Sequence, residues 1–411
     1  MSARAQTGVL EGALPALDDV APPVTSTSRL GELRSRWEKE FRFPALAYGS
    51  TRLGLLLVAV LCDLAFGGVV AKTSLAHEFS NWDGWWYVRV ATLGYPSVVS
   101  HAQTTLGFFP VYPMAMWLVS HVFFCSYVIG GLIVSLTGGL VATVLVERLV
   151  TEWWGPDAAR RAVWIFCLFP GSVVFSMDYS EGLLIPLTAG CMLALQHRKW
   201  LLAGVLAGIA TGIDPDALVL FAMCAVAALL QLRRYGWRDR DALTSLAAPV
   251  LAPAGILGFA AFLKLWTGSA MASFTAQADG WHESTTLLAV PNMLVQLVQE
   301  AFSPAHLAAV NLNNIVGLLG TAFLVVGLRY LWRDRFSVPL EIWVYVIAMT
   351  FLMVTSAHVP PNPRLLITAF PVVVIFARRF TGRAYRRLLV GLGSSLVVLS
   401  CLTFVGSVLR P

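Results

Sequence analysis

Asn81-Trp82-Asp83-Gly84-Trp85-Trp86-Tyr87 is the stretch from which the rest of the chain is read. Apolar sequence lies before it and after it. Within it stand one carboxylate, three tryptophans and a tyrosine. Trp and Tyr favour the membrane–water interface, where an apolar ring and a polar edge are both satisfied. The stretch therefore reads as a loop lying on a membrane surface, with Asp83 held at the rim. A carboxylate in that position can take the proton of a hydroxyl as a new bond forms. The plainer alternative is a solvated aspartate paired with Arg89.

Composition supports the membrane setting. Of the 411 residues 57% are hydrophobic and 13% are charged, and the mean hydropathy is +0.71. A soluble domain carries about 25% charged residues. Half of that over this length implies an all-α polytopic membrane protein. The net charge of +6 does not imply nucleic acid, because the basic residues sit in short clusters between apolar runs, as loops facing the cytoplasm do. The six cysteines (62, 125, 167, 191, 224 and 401) lie in or beside apolar runs. They form no CxxC and no Cys/His ligand spacing, so neither a disulfide framework nor a metal site is expected.

The first 28 residues are polar and rich in Ser, Thr and Pro, and read as a disordered segment rather than a signal peptide. From Arg29 to Arg42 basic, acidic and apolar residues alternate, which suits a short amphipathic helix on the cytoplasmic leaflet or a solvated tail. Residues 1–45 are thus a cytoplasmic tail and 46–411 a single transmembrane domain. The first span is expected near 52–72, followed by a large outer loop over 73–122. Its later part, 108–122, holds Pro110 and Pro113 and reads as a juxtamembrane or re-entrant helix. Further spans are expected at 125–146, 162–177, 181–196, 200–213, 215–232, 244–266, 307–330, 339–356, 364–377 and 388–408, about eleven in all. With the N-terminus inside, 24 of the 29 Lys and Arg residues fall in cytoplasmic segments, Arg52 among them.

The same topology gathers the unusual polar residues on the other face. Asp83, Asp178, Glu181, Asp214, Asp216, Gln277, Trp281, His282, His358 and Arg364 all fall at outer span ends or in outer loops. Charged groups at membrane depth are costly and mark function, so one extracytoplasmic site is implied. Asp178 and Glu181 also suit the N-terminus of a helix, where carboxylates complement the free N–H groups. Asp214 and Asp216 flank Pro215 as a turn would. Two carboxylates could hold a divalent cation, but no third ligand accompanies them.

Trp82-Asp83-x-x-Trp86-Tyr87, then Gly94-Tyr95, then Phe108-Phe109-Pro110-x-Tyr112-Pro113 resembles the PIG-V family, the second mannosyltransferase of GPI-anchor synthesis and its bacterial relatives. Tyr179-Ser180-Glu181, Gln277-x-x-x-Trp281 and the segment from Arg364 to Phe370-Pro371 are similar to later family motifs, in the right order over roughly 75–380. Thr211-Gly212-Ile213-Asp214-Pro215 departs from the family, whose members often carry an Arg-containing motif there. The resemblance implies a C-type glycosyltransferase fold with a catalytic Asp in a large first outer loop, the position of Asp83. It also implies a polyprenyl-phosphate mannose donor. Arg364 and His358, on either side of three prolines, would then hold the donor phosphate, since a guanidinium forks onto phosphate oxygens. Trp82, Trp86, Tyr87, Tyr179, Glu181, Gln277 and Trp281 would line the substrate site. Gln277 and Trp281 could instead be interfacial anchors, and Glu181 a helix cap.

The expected activity is inverting transfer of mannose to a hydroxyl acceptor, a glycolipid by the resemblance, with membrane lipids as partners. No cofactor or metal is expected, because the leaving group carries a single phosphate. The compact chain points to a bacterial plasma membrane. The competing expectation is a transporter or flippase of lipid-linked sugars, which would place paired charges near the bilayer midplane.

Overall fold

The computed structural model describes residues 41–66, 79–302, 311–357 and 359–404. The polar tail, most of the helix expected over Arg29–Arg42, residues 73–78 of the first outer loop, and His358 lie outside them. Pro44–Pro411 forms one compact unit; of the other, Met1–Phe43, only the last three residues are described.

The described residues are helical, with no strand among them. In chain order the principal helices are α1 Arg42–Phe66, α2 Asp83–Leu93, α3 Val111–Phe123, α4 Tyr127–Trp154, α5 Pro156–Leu168, α6 Glu181–Gln196, α7 Trp200–Thr211, α8 Val219–Tyr235, α9 Ala254–Thr267, α10 Ala272–Gly280, α11 Ala289–Phe302, α12 Leu312–Arg333, α13 Leu340–Thr355, α14 Pro363–Thr368 and α15 Gly382–Phe404.

Six helical stretches among the described residues are long and apolar enough to cross a membrane, and a seventh arises if α5 and the following Pro170–Ser176 turn form one span bent by 72°. Pro170 sits at that bend and cannot continue the hydrogen-bond ladder. The count of eleven spans is not reached on these criteria. Apolar runs such as α6 and α7 have 16 and 12 residues, or about 24 and 18 Å, against a hydrocarbon core of about 30 Å. The span expected at 364–377 is three short pieces, Pro363–Thr368, Phe370–Val374 and Phe376–Arg379.

Small residues bring the central helices together. Gly131, Ser135, Gly138, Gly139 and Ala142 form a buried ridge on α4. A Cβ on Gly138 would stand 1.9 Å from the Gly182 carbonyl oxygen, so only glycine permits this approach of α4 to α6. The contact sets the first turn of α6, and Glu181 with it, against α4. Ser135 Oγ donates to the Tyr179 carbonyl at 3.1 Å and pairs with the Tyr112 hydroxyl at 2.8 Å. One hydroxyl thereby joins α3, α4 and the segment leading into α6.

Arg52 corrects the topology count. It is buried inside α1 rather than at a cytoplasmic rim. Its guanidinium donates to the carbonyls of Cys167 at 3.0 Å and Ser172 at 2.5 Å and lies 5.1 Å over the Tyr48 ring. It thus meets the carbonyls that the bend after α5 leaves without helical partners.

One antiparallel bridge, Thr285 with Ser356, ties the segment after α10 to the chain leading toward α14. Ala357 N–H donates to the Ser284 carbonyl at 2.9 Å and Thr286 N–H to the Thr355 carbonyl at 2.7 Å. Segments about 70 residues apart in sequence are so held at one end of the bundle.

Candidate active site

Asp83 opens a helix; the surface loop expected around it is a turn followed by α2. Trp82 makes the turn with φ of 58° and ψ of −118°, a region non-glycine residues rarely adopt. The turn is held from behind. Asp178 N–H donates to the Phe79 carbonyl at 2.9 Å. Gly84 packs so closely on Asp178 that a Cβ there would lie 3.1 Å from its carbonyl oxygen.

Arg364 comes from the far end of the chain. Asn362 caps α14 by accepting from Leu365 N–H at 2.9 Å, and Pro363 supplies the first helical residue, where a missing N–H costs nothing. This presents Arg364 on the first turn. A Cβ on Gly171 would fall 1.9 Å from the Pro363 carbonyl oxygen, so the backbone before Arg364 rests directly on the bent segment after α5.

The three elements meet at the guanidinium. Arg364 Nη1 donates to Asp83 Oδ2 at 2.5 Å, Nε donates to Glu181 Oε1, and the group lies 4.6 Å over the Tyr179 ring. Glu181 is 4% exposed, Arg364 18% and Asp83 31%. The trio therefore opens toward solvent on the Asp83 side. Two of the five N–H donors of Arg364 are committed to these carboxylates.

More acid surrounds the trio. Asp214 and Glu283 interact electrostatically with Arg364, and so does Asp216. Burial, with Asp216 beside it, pushes Asp214 up to about 8. Burial also raises Glu283, with Asp216 and Asp83 adding to the shift. Asp178 is fully buried, neither carboxyl oxygen has a hydrogen-bond partner, and burial raises its pKa far above the ordinary carboxylate range.

An aromatic wall adjoins Asp83. Trp86 stacks on Phe108 at 5.7 Å, and Trp281 stands edge-on to both at 5.2 and 5.5 Å. Tyr87 packs edge-on against Phe108 at 5.1 Å and Tyr112 at 4.9 Å. Gln277 Nε2 donates to the Gly107 carbonyl at 3.0 Å, which fastens α10 to the Phe108 segment. Arg89 lies over Trp85 and Trp86, at 4.4 and 5.3 Å. The alternative Asp83–Arg89 pair does not form; Arg364 takes that place.

No protein-family model matches the chain. Over 156 residues, 36% of this chain, it is 28% identical to GPI alpha-1,6-mannosyltransferase 2 of Rattus norvegicus. Over 150 residues, 34% of the chain, it is also 28% identical to the same enzyme of Cricetulus griseus. The matches span only 31% and 29% of those relatives' lengths. Among solved structures, the apo oligosaccharyltransferase of Archaeoglobus fulgidus is similar over 90% of this chain and 57% of its own, with a TM-score of 0.50 and 14% identity. ArnT from Cupriavidus metallidurans bound to undecaprenyl phosphate matches 74% of this chain and 56% of its own, with a TM-score of 0.48 and 15% identity. The chain has the C-type glycosyltransferase fold, and about a third of it is similar in sequence to these GPI mannosyltransferases.

In this chain Asp83, Tyr179, Glu181 and Arg364 converge, and Trp86, Tyr87 and Trp281 stand beside them. Trp82 shapes the turn, and Gln277 binds backbone. His358 lies outside the described residues. Asp178, Asp214 and Asp216 were expected at the outer face, but how they relate to Arg364 and α2 was not. Asp214 does make the expected turn, accepting from Asp216 N–H at 2.8 Å, yet both acids also face the Arg364 cluster. Its departure from the family pattern was the available signal. Asp178 read as a helix cap, but its carboxyl is buried under α2 and bonds no helix N–H. Nothing in a single sequence distinguishes those two fates.

Proposed function

We propose that this chain is an integral-membrane glycosyltransferase that takes mannose from a polyprenyl-phosphate carrier and transfers it, with inversion, to a hydroxyl acceptor, most simply a glycolipid, on the extracytoplasmic face. The observation that carries the reading is the Arg364 bridge between Asp83 and Glu181 beside an aromatic wall. The similarity to GPI mannosyltransferases over about a third of the chain supports the sugar, and the fold supports a lipid-linked donor.

Each group has a task. Asp83, the most open of the trio, accepts the acceptor hydroxyl's proton as its oxygen attacks the anomeric carbon. The bond from that carbon to the phosphate oxygen breaks, and its electron pair leaves on polyprenyl phosphate. Phosphate gains one negative charge in this step. The N–H donors of Arg364 not used by Asp83 and Glu181 meet that charge, with His358 as a second donor. Glu181 and Tyr179 hold the guanidinium in place. Trp86 and Trp281 offer ring faces and edges to the sugar. The leaving group is a single phosphate, so this chemistry needs no metal.

The test is transfer from labelled polyprenyl-phosphate mannose into a crude membrane-lipid pool, in EDTA, by wild type and Asp83→Asn. A labelled lipid from wild type, reduced about 100-fold or more in the variant, supports the assignment, and the product identifies the acceptor. Equal transfer by Asp83→Asn would remove Asp83 from the mechanism. Movement of lipid-linked sugar across vesicles by both proteins, with transfer by neither, would favour transport.

A further inference from the structure

Between the central helices lies a feature to which no step of the proposed transfer is assigned. A cavity of about 740 Å³ opens between α3, α4, α6 and α7. Its walls are apolar, with Val141, Leu145, Leu187 and Leu206 among them, and Gly138 and Gly190 also line it. From Val134 to Arg148 it follows α4 for fourteen residues, a rise of about 21 Å. One leaflet's share of a hydrocarbon core of about 30 Å is shorter than that. The slot is long enough for an acyl chain reaching in from one leaflet.

The two ends of the slot differ in charge. Leu183 lines one end, two residues from Glu181 and the acid-rich cluster. Arg148, His197 and Lys199 line the other. Around that second end Arg160 interacts electrostatically with Glu147, and Arg198 flanks Lys199. Glu152 Oε1 accepts from His197 Nε2 at 2.8 Å. Counting Arg148, Arg160, Arg198 and Lys199 against Glu147 and Glu152 leaves two positive charges with His197 neutral. An apolar slot ending in net positive charge complements a lipid whose head group is an anion. A donor whose phosphate lies at Arg364 would present its charge at the wrong end, about 24 Å away along the 16 residues of α6.

We propose that this slot is a binding site for an anionic glycerophospholipid of the leaflet opposite the Asp83 cluster. Its acyl chain lies along α4 and α6, and its phosphodiester meets Arg148 and Lys199. The site is independent of the transfer reading, since it shares no residue with the Asp83–Glu181–Arg364 trio.

Native mass spectrometry of the purified full chain tests this, with phosphatidylglycerol and phosphatidylcholine of identical acyl chains as probes. Wild type should retain phosphatidylglycerol at least tenfold more strongly than phosphatidylcholine. The double variant Arg148→Gln/Lys199→Gln should lose that preference. Gly190→Leu should lower retention of both lipids, because its side chain fills the slot; a Cβ there meets only the flexible ends of Leu206, at 3.2 Å, and Leu145, at 3.8 Å. Thermal unfolding of each variant without added lipid confirms that it is folded. If the double variant does not fold, Lys199→Gln alone carries the charge test, since Lys199 is exposed. Equal retention of the two lipids by wild type, or phosphatidylglycerol held equally by wild type and the folded charge variant, would overturn the proposal. So would unchanged retention in a folded Gly190→Leu.

Discussion

At Arg364 one guanidinium joins two carboxylates carried on helices about 100 residues apart in sequence, and each partner predicts a different failure. Removing the guanidinium as Arg364→Ala leaves Glu181, 4% exposed, as a buried charge without its partner. Losing one side of such a pair costs about 3–5 kcal/mol, so that variant tests folding more than chemistry. Arg364→Lys keeps the charge but not the fork that reaches both carboxylates. It should fold, melt within a few degrees of wild type, and transfer sugar about 100-fold more slowly; rates near wild type would mean that only a point charge is needed. Asp214 predicts a pH effect. Its pKa rises from 3.8 to about 8 on folding, so the folded chain holds a proton that the unfolded chain releases above about pH 4. Stability from this group is complete below that pH and declines as pH rises toward 8. Melting temperature should therefore fall across pH 4–8 in wild type, and less steeply in Asp214→Asn. Parallel curves for the two proteins would show that folding does not raise the pKa of Asp214.

Among the elements, the bent segment after α5 matters most, because the Arg364 backbone rests on it. The Cβ of Gly171→Ala would stand 1.9 Å from the Pro363 carbonyl oxygen, and what it strikes is backbone, which cannot swing away. Overpacking of this kind costs about 1–3 kcal/mol, and displacing Arg364 should slow transfer at least tenfold. Gly258→Ala on α9 is the control, since nothing lies within 4 Å of its Cβ. Measured together, transfer rate and melting temperature should fall for Gly171→Ala and stay level for Gly258→Ala; equal behaviour would mean the Gly171–Pro363 contact does not position the site. Elements of this length were partly legible in advance. The apolar runs at 181–196 and 339–356 coincide closely with α6 and α13, because apolar composition and flanking polar residues mark both ends. Residues 81–87 read as a loop, because their three tryptophans and tyrosine suit a membrane surface. The turn at Trp82 and the packing on Asp178, both tertiary, make Asp83 the start of a helix instead.

Across the whole molecule, the motifs located Asp83, Glu181 and Arg364 separately, but a sequence carries no record of which side chains meet. Arg89 was the nearer cation along the chain, and Arg364, 281 positions away, is the one that binds Asp83. Arg52 failed for a related reason: a cation near the start of an apolar run reads as a membrane rim, whereas burial against the bend after α5 is a tertiary fact. The charge asymmetry survives that correction, because the remaining basic clusters still alternate with the apolar runs. It implies that the Asp83 end and the Arg198–Lys199 end lie on opposite sides of the bilayer. Two exposed positions report this, His101 in the segment before Phe108 and Arg238 after α8. With Cys125 and Cys401, the two cysteines that are not fully buried, changed to Ser, a membrane-impermeant maleimide on intact cells should label His101→Cys and leave Arg238→Cys untouched until the membrane is opened. The reverse pattern would turn the protein over. Transfer would then take place on the cytoplasmic face, where nucleotide sugars are at hand, and the case for a polyprenyl-phosphate donor would lose its physical basis.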